Sequence, residues 1–280
     1  MKKLLATLIS ALLILSAFAI TASAEESATV FVTITDGEGE FALVLEKITV
    51  ADTDNDGKLT INDALYCAHE AKYQGGAEAG YACVETEYGL SLSKLWGEEN
   101  GGSYGYYLNN ASAWSLYDTV SDGDFLNAYV YTDLTAWSDT YCYFDKNSVD
   151  ATPDSEIALK LTYCGYDAEY NPVTLPVANA TIALDGIDTE YKTDENGIVK
   201  FTVAEAGEYI VSAVSDTQTL VPPVCVVTVA ESNDESNDES QENSDSVVTP
   251  GDNSSLMIMV ILGIAAFAVA IAASRKHNAY

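Results

Sequence analysis

The chain has 280 residues, with 43 acidic against 12 basic side chains and a formal net charge of −31. A nucleic-acid partner requires the opposite sign, because phosphate contacts dominate that affinity. So acidic a surface stays soluble, repels anionic surfaces and attracts cations.

The first element is apolar. Lys2 and Lys3 precede a run from Leu4 to Ile20, and Ala22-Ser23-Ala24 follows as an A-x-A cleavage signal. Residues 1–24 therefore read as a secretory signal peptide. ATVFVTITD (28–36) alternates β-branched with other residues and predicts a strand. FALVLEKITVAD (41–52) predicts a second. INDALYCAHEAKY (61–73) predicts a helix, with Ala64, Leu65, Cys67, Ala68 and Ala71 on its apolar face and Tyr66, His69 and Tyr73 on another stripe. QGGAEAG stops it with glycines. SLSKLWG, GGSYGYYLNNASAW and FLNAYVYTD supply shorter elements, mostly strands. Around residue 153 the pattern becomes a series of short strands, and Asn196-Gly197 between alternating runs predicts a hairpin. This second part reads as a small β-sandwich.

ESNDESNDESQENSDS, after Ala230, repeats one acidic unit and has almost no apolar residue. Such a segment cannot bury enough surface to fold and extends by self-repulsion. Leu256–Ala273 contains no charge and matches the roughly 17–25 residues that cross a bilayer as a helix. Arg275 and Lys276 follow it, which places the C-terminus inside and the bulk of the chain outside. The expected organisation is a signal peptide (1–24), a first domain (25–150), a second domain (151–229), a linker (230–254), a transmembrane helix (255–274) and a tail (275–280). The fold class is mainly β with one main helix.

The sharpest motif is DTDNDGKLTIND (52–63). An EF-type calcium loop uses oxygens at its first, third, fifth, seventh, ninth and twelfth places and a glycine at the sixth. Those places hold Asp52, Asp54, Asp56, the Lys58 carbonyl, Thr60 through a water, and Asp63, with Gly57 at the turn. The last ligand is Asp where Glu is common, so the helix must come closer to the ion. A plain acidic turn would crowd like charges without an ion to balance them. Calcium is the expected cofactor, held weakly, on the order of 10⁻⁴–10⁻³ M.

The loop and helix resemble one half of a dockerin. A dockerin pairs two such units, and DKNSVD (145–150) has Val149 where a fifth ligand belongs. Other residues resemble the transcobalamin-like C-terminal domain, a β-grasp module of Gram-positive surface proteins. They are Thr60-Ile61-Asn62-Asp63-Ala64-Leu65, Tyr88-Gly89, Ser103-Tyr104-Gly105-Tyr106-Tyr107-Leu108-Asn109-Asn110, Asp122-Gly123-Asp124 and Val130-Tyr131-Thr132. Asn110 stands where that family has glycine. This resemblance implies a fold more than a ligand. Residues 155–229, with the T-D-x-N-G turn, are similar to the immunoglobulin-like repeats of bacterial surface proteins. The C-terminal end is similar to a sortase-anchored tail, but VVTPG (247–251) departs from L-P-x-T-G, which favours a retained membrane span over cell-wall linkage.

No enzyme is expected. His69 is the histidine available to the exported part, and an exposed or half-packed place on the helix is the simpler reading. Five cysteines leave an odd thiol and read mostly as small buried side chains. Eighteen tyrosines against seven phenylalanines do stand out. Tyr106, Tyr107, Asn109, Asn110 and Trp114 form a candidate ligand-binding cluster, because aromatic faces beside amides hold sugars or partner chains. Its alternative reading is core cover. Together these readings point to a non-enzymatic, calcium-stabilised cell-surface protein that presents a module to a polysaccharide or a surface protein. A structural spacer and a dockerin-like assembly subunit are the alternatives.

Overall fold

The computed structural model describes residues 27–169 and 171–231. The expected signal peptide, transmembrane helix and tail, and all but the first residues of the expected linker, lie outside them. Among the described residues no helix is long and apolar enough to cross a membrane. The protein is mainly β. Two compact units can be distinguished, one of residues 27–32, Glu46–Gly102 and Tyr106–Asn127, the other of Thr33–Leu45, Ser103–Gly105 and 128–231.

Strands β1 (Ser27–Thr35) and β2 (Phe41–Ala51) open the chain, and helix α1 (Ile61–Lys72) and the short α2 (Gly76–Gly80) follow. β3 (Ala82–Thr86) and β4 (Gly89–Lys94) form an antiparallel hairpin. β5 (Tyr104–Leu108), β6 (Ala111–Ser112) and β7 (Phe125–Val130) complete a five-stranded sheet of order β2-β1-β7-β5-β6. Strict alternation buries Val30, Val32 and Ile34 on one face of β1. In α1 the buried residues are Ile61, Ala64, Leu65 and Ala68, together with Asn62, Asp63 and His69. Ala71, read as part of the apolar face, is exposed. The buried stripe turns toward His69 instead, because both ring nitrogens of His69 find backbone partners inside.

The remaining strands are β8 (Thr140–Phe144), β9 (Ser148–Ala151), β10 (Ile157–Tyr166), β11 (Pro172–Pro176), β12 (Thr181–Leu184), β13 (Ile187–Lys192), β14 (Ile198–Phe201), β15 (Gly207–Val214), β16 (Leu220–Val221) and β17 (Cys225–Val229). They make two sheets. One has the order β11-β10-β8-β16 with β14 also paired to β10, and the other β13-β12-β15-β17-β9. Phe144, Leu159, Leu161, Ile182, Val211, Phe201 and Val227 come from both sheets into one buried core. β8 pairs with β10 and β16, and β9 with β17. Both strands thus pair with the C-terminal sheets; β8 precedes the expected boundary at 150/151 and β9 runs across it. DKNSVD is the connection from β8 into β9, tied by the Asp145 carboxylate, which accepts from the Lys160 amide at 2.8 Å.

The Asn196-Gly197 turn does not close a hairpin ladder. β13 pairs with β12 and β14 with β10, so the turn carries the chain from one sheet to the other. Asp194 Oδ1 accepts from the amides of Asn196 and Ile198, and Gly197 sits at φ +75°. A Cβ on Gly197 would lie 2.3 Å from the Leu161 carbonyl oxygen. Gly197→Ala therefore meets both strain and a backbone collision. It should lower stability by more than the roughly 1 kcal/mol of an ordinary left-handed glycine replacement. Urea denaturation checks it; an unchanged midpoint would contradict the close approach.

Candidate metal centre

The loop begins where β2 ends. Asn55 and Gly57 take left-handed backbone, φ +60° and +83°, and so bend the chain back on itself. Asn tolerates this conformation and glycine prefers it. Asp52 holds the bend: its Oδ2 accepts from Gly57 N at 2.8 Å and its Oδ1 from Asp56 N at 3.2 Å. The Gly57 amide is the chief reason that the Asp52 carboxyl lies below its ordinary range.

At the far end Thr60 caps α1. Its hydroxyl accepts from Asp63 N while Asp63 Oδ2 accepts from Thr60 N at 3.0 Å, a reciprocal capping box. Asp63 is fully buried. Its other oxygen accepts from Thr53 N at 2.8 Å and from the Thr53 hydroxyl. Two backbone amides and two hydroxyls thus fix this carboxylate across the mouth of the loop.

Asp52, Asp54 and Asp63 each bring one carboxylate oxygen within 4.8 Å of the others. Asp56 lies outside this group, its Oδ1 accepting from Lys58 N at 2.8 Å. Asp54 shows the cost of the convergence. Partial desolvation raises its pKa, and the charges of Asp63, Asp56 and Asp52 add to the rise. The donor set is all oxygen and strongly anionic, which fits a hard divalent cation. Asp52, Asp54 and Asp63 would hold it. The Thr53 and Thr60 hydroxyls can rotate their protons away from Asp63 and free a lone pair, while the backbone amides keep the carboxylate in place. In this arrangement Thr60 serves the helix cap.

What braces the loop from behind comes from far along the chain and leaves no mark in the motif. Val120 N donates to Leu59 O, Ile61 N to Asp118 O and Asn62 N to Leu116 O, each at 2.9 Å. Thr60 and Thr119 form an antiparallel bridge. In a paired calcium motif the second loop supplies such strand contacts. Here the segment Leu116–Val120 occupies that position.

His69 is fully buried. Nε2 accepts from Trp96 N at 3.0 Å, so Nδ1 carries the proton and donates to Leu65 O at 2.6 Å. Desolvation lowers its pKa to about 4. Tyr73, Tyr81 and Trp96 surround the ring at centroid distances of 5.2–6.2 Å. The reading of an exposed or half-packed histidine is therefore corrected: burial is affordable because both nitrogens are satisfied. Neither nitrogen is free to serve a nucleophile. None of the five cysteines is bridged; Cys142 and Cys225 are buried, Cys67 is half-buried, and Cys83 and Cys164 are exposed. Burial pushes the Cys225 thiol up to about 12.

The aromatic cluster divides. Trp114 is 90% exposed. Tyr106 and Tyr107 are half-buried, and burial raises the Tyr106 hydroxyl, which is hydrogen-bonded with Ser91. Asn109 and Asn110 form the left-handed turn between β5 and β6, at φ +50° and +65°. That explains asparagine where the resembling family has glycine. The Asn109 amide is no free ligand: Nδ2 donates to Asp124 Oδ1 at 2.8 Å and Oδ1 accepts from Phe125 N at 3.0 Å. Tyr88 and Tyr117, neither of them part of the expected ligand cluster, are 80% and 46% exposed. The Tyr117 hydroxyl donates to Glu85 Oε2 at 2.8 Å, and this bond raises its pKa.

No family model and no curated protein matches the chain. Among solved structures it is similar to the N-terminal four Ig domains of Dscam1 isoform 7.44 (9% identity, TM-score 0.23) and of isoform 4.44 (10% identity, TM-score 0.23). Each alignment covers 75% of this chain and 45% of the other, so the chain spans less than half of those structures.

Proposed function

We propose that this is a non-enzymatic cell-surface protein whose N-terminal module is clamped by calcium and presents a binding surface to a polysaccharide or a surface protein. The convergence of Asp52, Asp54 and Asp63 within 4.8 Å carries this reading, because three carboxylates so placed repel one another until a cation joins them. In the sheet order, β1 lies next to β7 beside a single long helix, which supports a β-grasp-like module. The two sheets around one core support an immunoglobulin-like β-sandwich from Thr140 to Val229. The satisfied nitrogens of His69 support a binding role over catalysis. Residues 1–24 and 255–274 would export and anchor the protein. Calorimetric titration of the full-length protein with calcium tests the reading. One site with affinity on the order of 10⁻⁴–10⁻³ M or tighter is expected, and none in the Asp52→Ala, Asp54→Ala double variant. Equal heats from both proteins would remove calcium from the proposal.

A further inference from the structure

The face beside the loop carries three exposed aromatic side chains and a belt of carboxylates. The Tyr88 turn joins β3 to β4, and the segment 113–118 lies against it. Leu116 N and the Ser115 hydroxyl both donate to Leu90 O, at 2.9 and 3.1 Å. A Cβ built on Gly89 would lie 2.7 Å from Ser115 Oγ and 4.0 Å from Tyr117 Cδ2. Tyr88, Trp114 and Tyr117 therefore stand on adjoining pieces of chain, and all three are exposed. Exposed aromatic side chains gathered on adjoining segments mark an interaction site.

Its polar neighbours choose the partner. Residues 84–89 and 113–118 contain Glu85, Glu87 and Asp118 and no basic residue. Glu85 accepts from Tyr117, and Asp118 Oδ2 accepts from Trp114 N at 2.9 Å, so both carboxylates are held beside the rings. Tryptophan and tyrosine faces attract ammonium and guanidinium groups. Fixed carboxylates beside them add a charge that an acidic or neutral partner cannot use. The pairing of Leu116–Val120 with Leu59–Asn62 keeps the face rigid, which lowers the entropy lost on docking.

We infer that Tyr88, Trp114 and Tyr117, with Glu85 and Asp118, form the docking face for a lysine- or arginine-bearing segment of a protein partner. This deepens the proposed surface-binding role by naming its partner class, and it rests on that role. The test uses the full-length protein, in millimolar calcium and in chelator, titrated with an alternating lysine–glycine peptide, its glutamate counterpart and a neutral glucan oligosaccharide. The lysine peptide is expected to bind. Trp114→Ala with Tyr88→Ala should weaken it about tenfold. Trp137→Ala should change nothing, since that exposed tryptophan belongs to the other compact unit and donates to Ser103 Oγ. Raised salt should weaken binding. Equal weakening by Trp137→Ala would mean general attraction to an acidic protein and overturn the inference. Capture of the oligosaccharide alone, or self-association that Trp114→Ala abolishes, would assign the face to a glycan or to a second copy and overturn it too. Melting of the same samples with and without calcium reports the clamp separately, so loss of one reading is distinguishable from loss of the other.

Discussion

Chelating calcium is expected to lower the melting temperature of the native protein by a few degrees. A ligand at about ten times its Kd stabilises the folded state by roughly 1.4 kcal/mol, the ratio reached in millimolar calcium at the affinity of a weak extracellular site. For a folded part of this size each kcal/mol moves the midpoint by about 2–4 °C. Asp54→Asn provides the sharper test because its effect should change sign. The ionised Asp54 is disfavoured in the fold by desolvation and by Asp63, Asp56 and Asp52. Its raised pKa means that the charged form destabilises the native state above that pKa and that the penalty fades as pH falls. Without calcium, the asparagine should therefore melt slightly higher than the native protein near neutral pH. With calcium, it should melt lower, because a ligand is gone. Scanning calorimetry in both conditions reads this. A variant that melts lower in both would show that Asp54 serves the turn and not an ion.

Mild acid should destabilise the first unit through one buried histidine. His69 has a folded pKa of about 4 against an ordinary 6.5. The unfolded chain therefore takes up a proton that the native state refuses. Stability from this residue is complete above about pH 6.5 and falls steadily as the pH drops to about 4. The loss over that window is about 3 kcal/mol. Protonated Nε2 would face the Trp96 amide, donor against donor, which is the structural form of the same penalty. The carboxylates with lowered pKa, Asp52, Asp133, Asp167 and Asp194, contribute stability above their ordinary range and lose it only at lower pH. Asp54, whose pKa is raised, works in the opposite direction, so between about 4 and 6.5 the histidine is the group that costs stability. His69→Leu should be less stable at neutral pH by about 1–3 kcal/mol, since the Trp96 amide loses its acceptor. Its stability should then vary little with pH across the same interval. Chemical denaturation at several pH values measures both, and an unchanged slope in the variant would refute the assignment.

Local chemistry was legible in the sequence, and long-range pairing was not. Helix α1 and its start were readable because Thr60 and Asp63 sit at capping-box spacing before an apolar stripe. The three converging aspartates were readable because the loop motif is contiguous. Asp56, at the fifth place of the same motif, stands outside that group and accepts from the Lys58 amide, a detail the motif does not carry. His69 looked like a surface residue because the sequence shows its polarity but not the Trp96 amide that satisfies it. Strands β8 and β9 escaped notice, although both pair with strands of the C-terminal sheets. Alternation marks a strand without saying which sheet will receive it. The Asn196-Gly197 turn was correctly read as a turn and wrongly given a ladder, for the same reason.

The brace behind the metal loop has a kinetic consequence. Leu59, Thr60 and Ile61 meet their partners in Leu116–Val120, which lies far along the chain. The candidate ion site thus receives its brace only after a distant segment has closed onto it, and that closure carries an entropy cost before any reward. Calcium would then arrive late in folding and bind a surface the transition state has not finished. An interaction of that kind leaves the folding rate nearly unchanged and slows unfolding. At the proposed cell-surface location, where a protein that opens is soon cleaved, residence time in the closed state is the property such a clamp would improve.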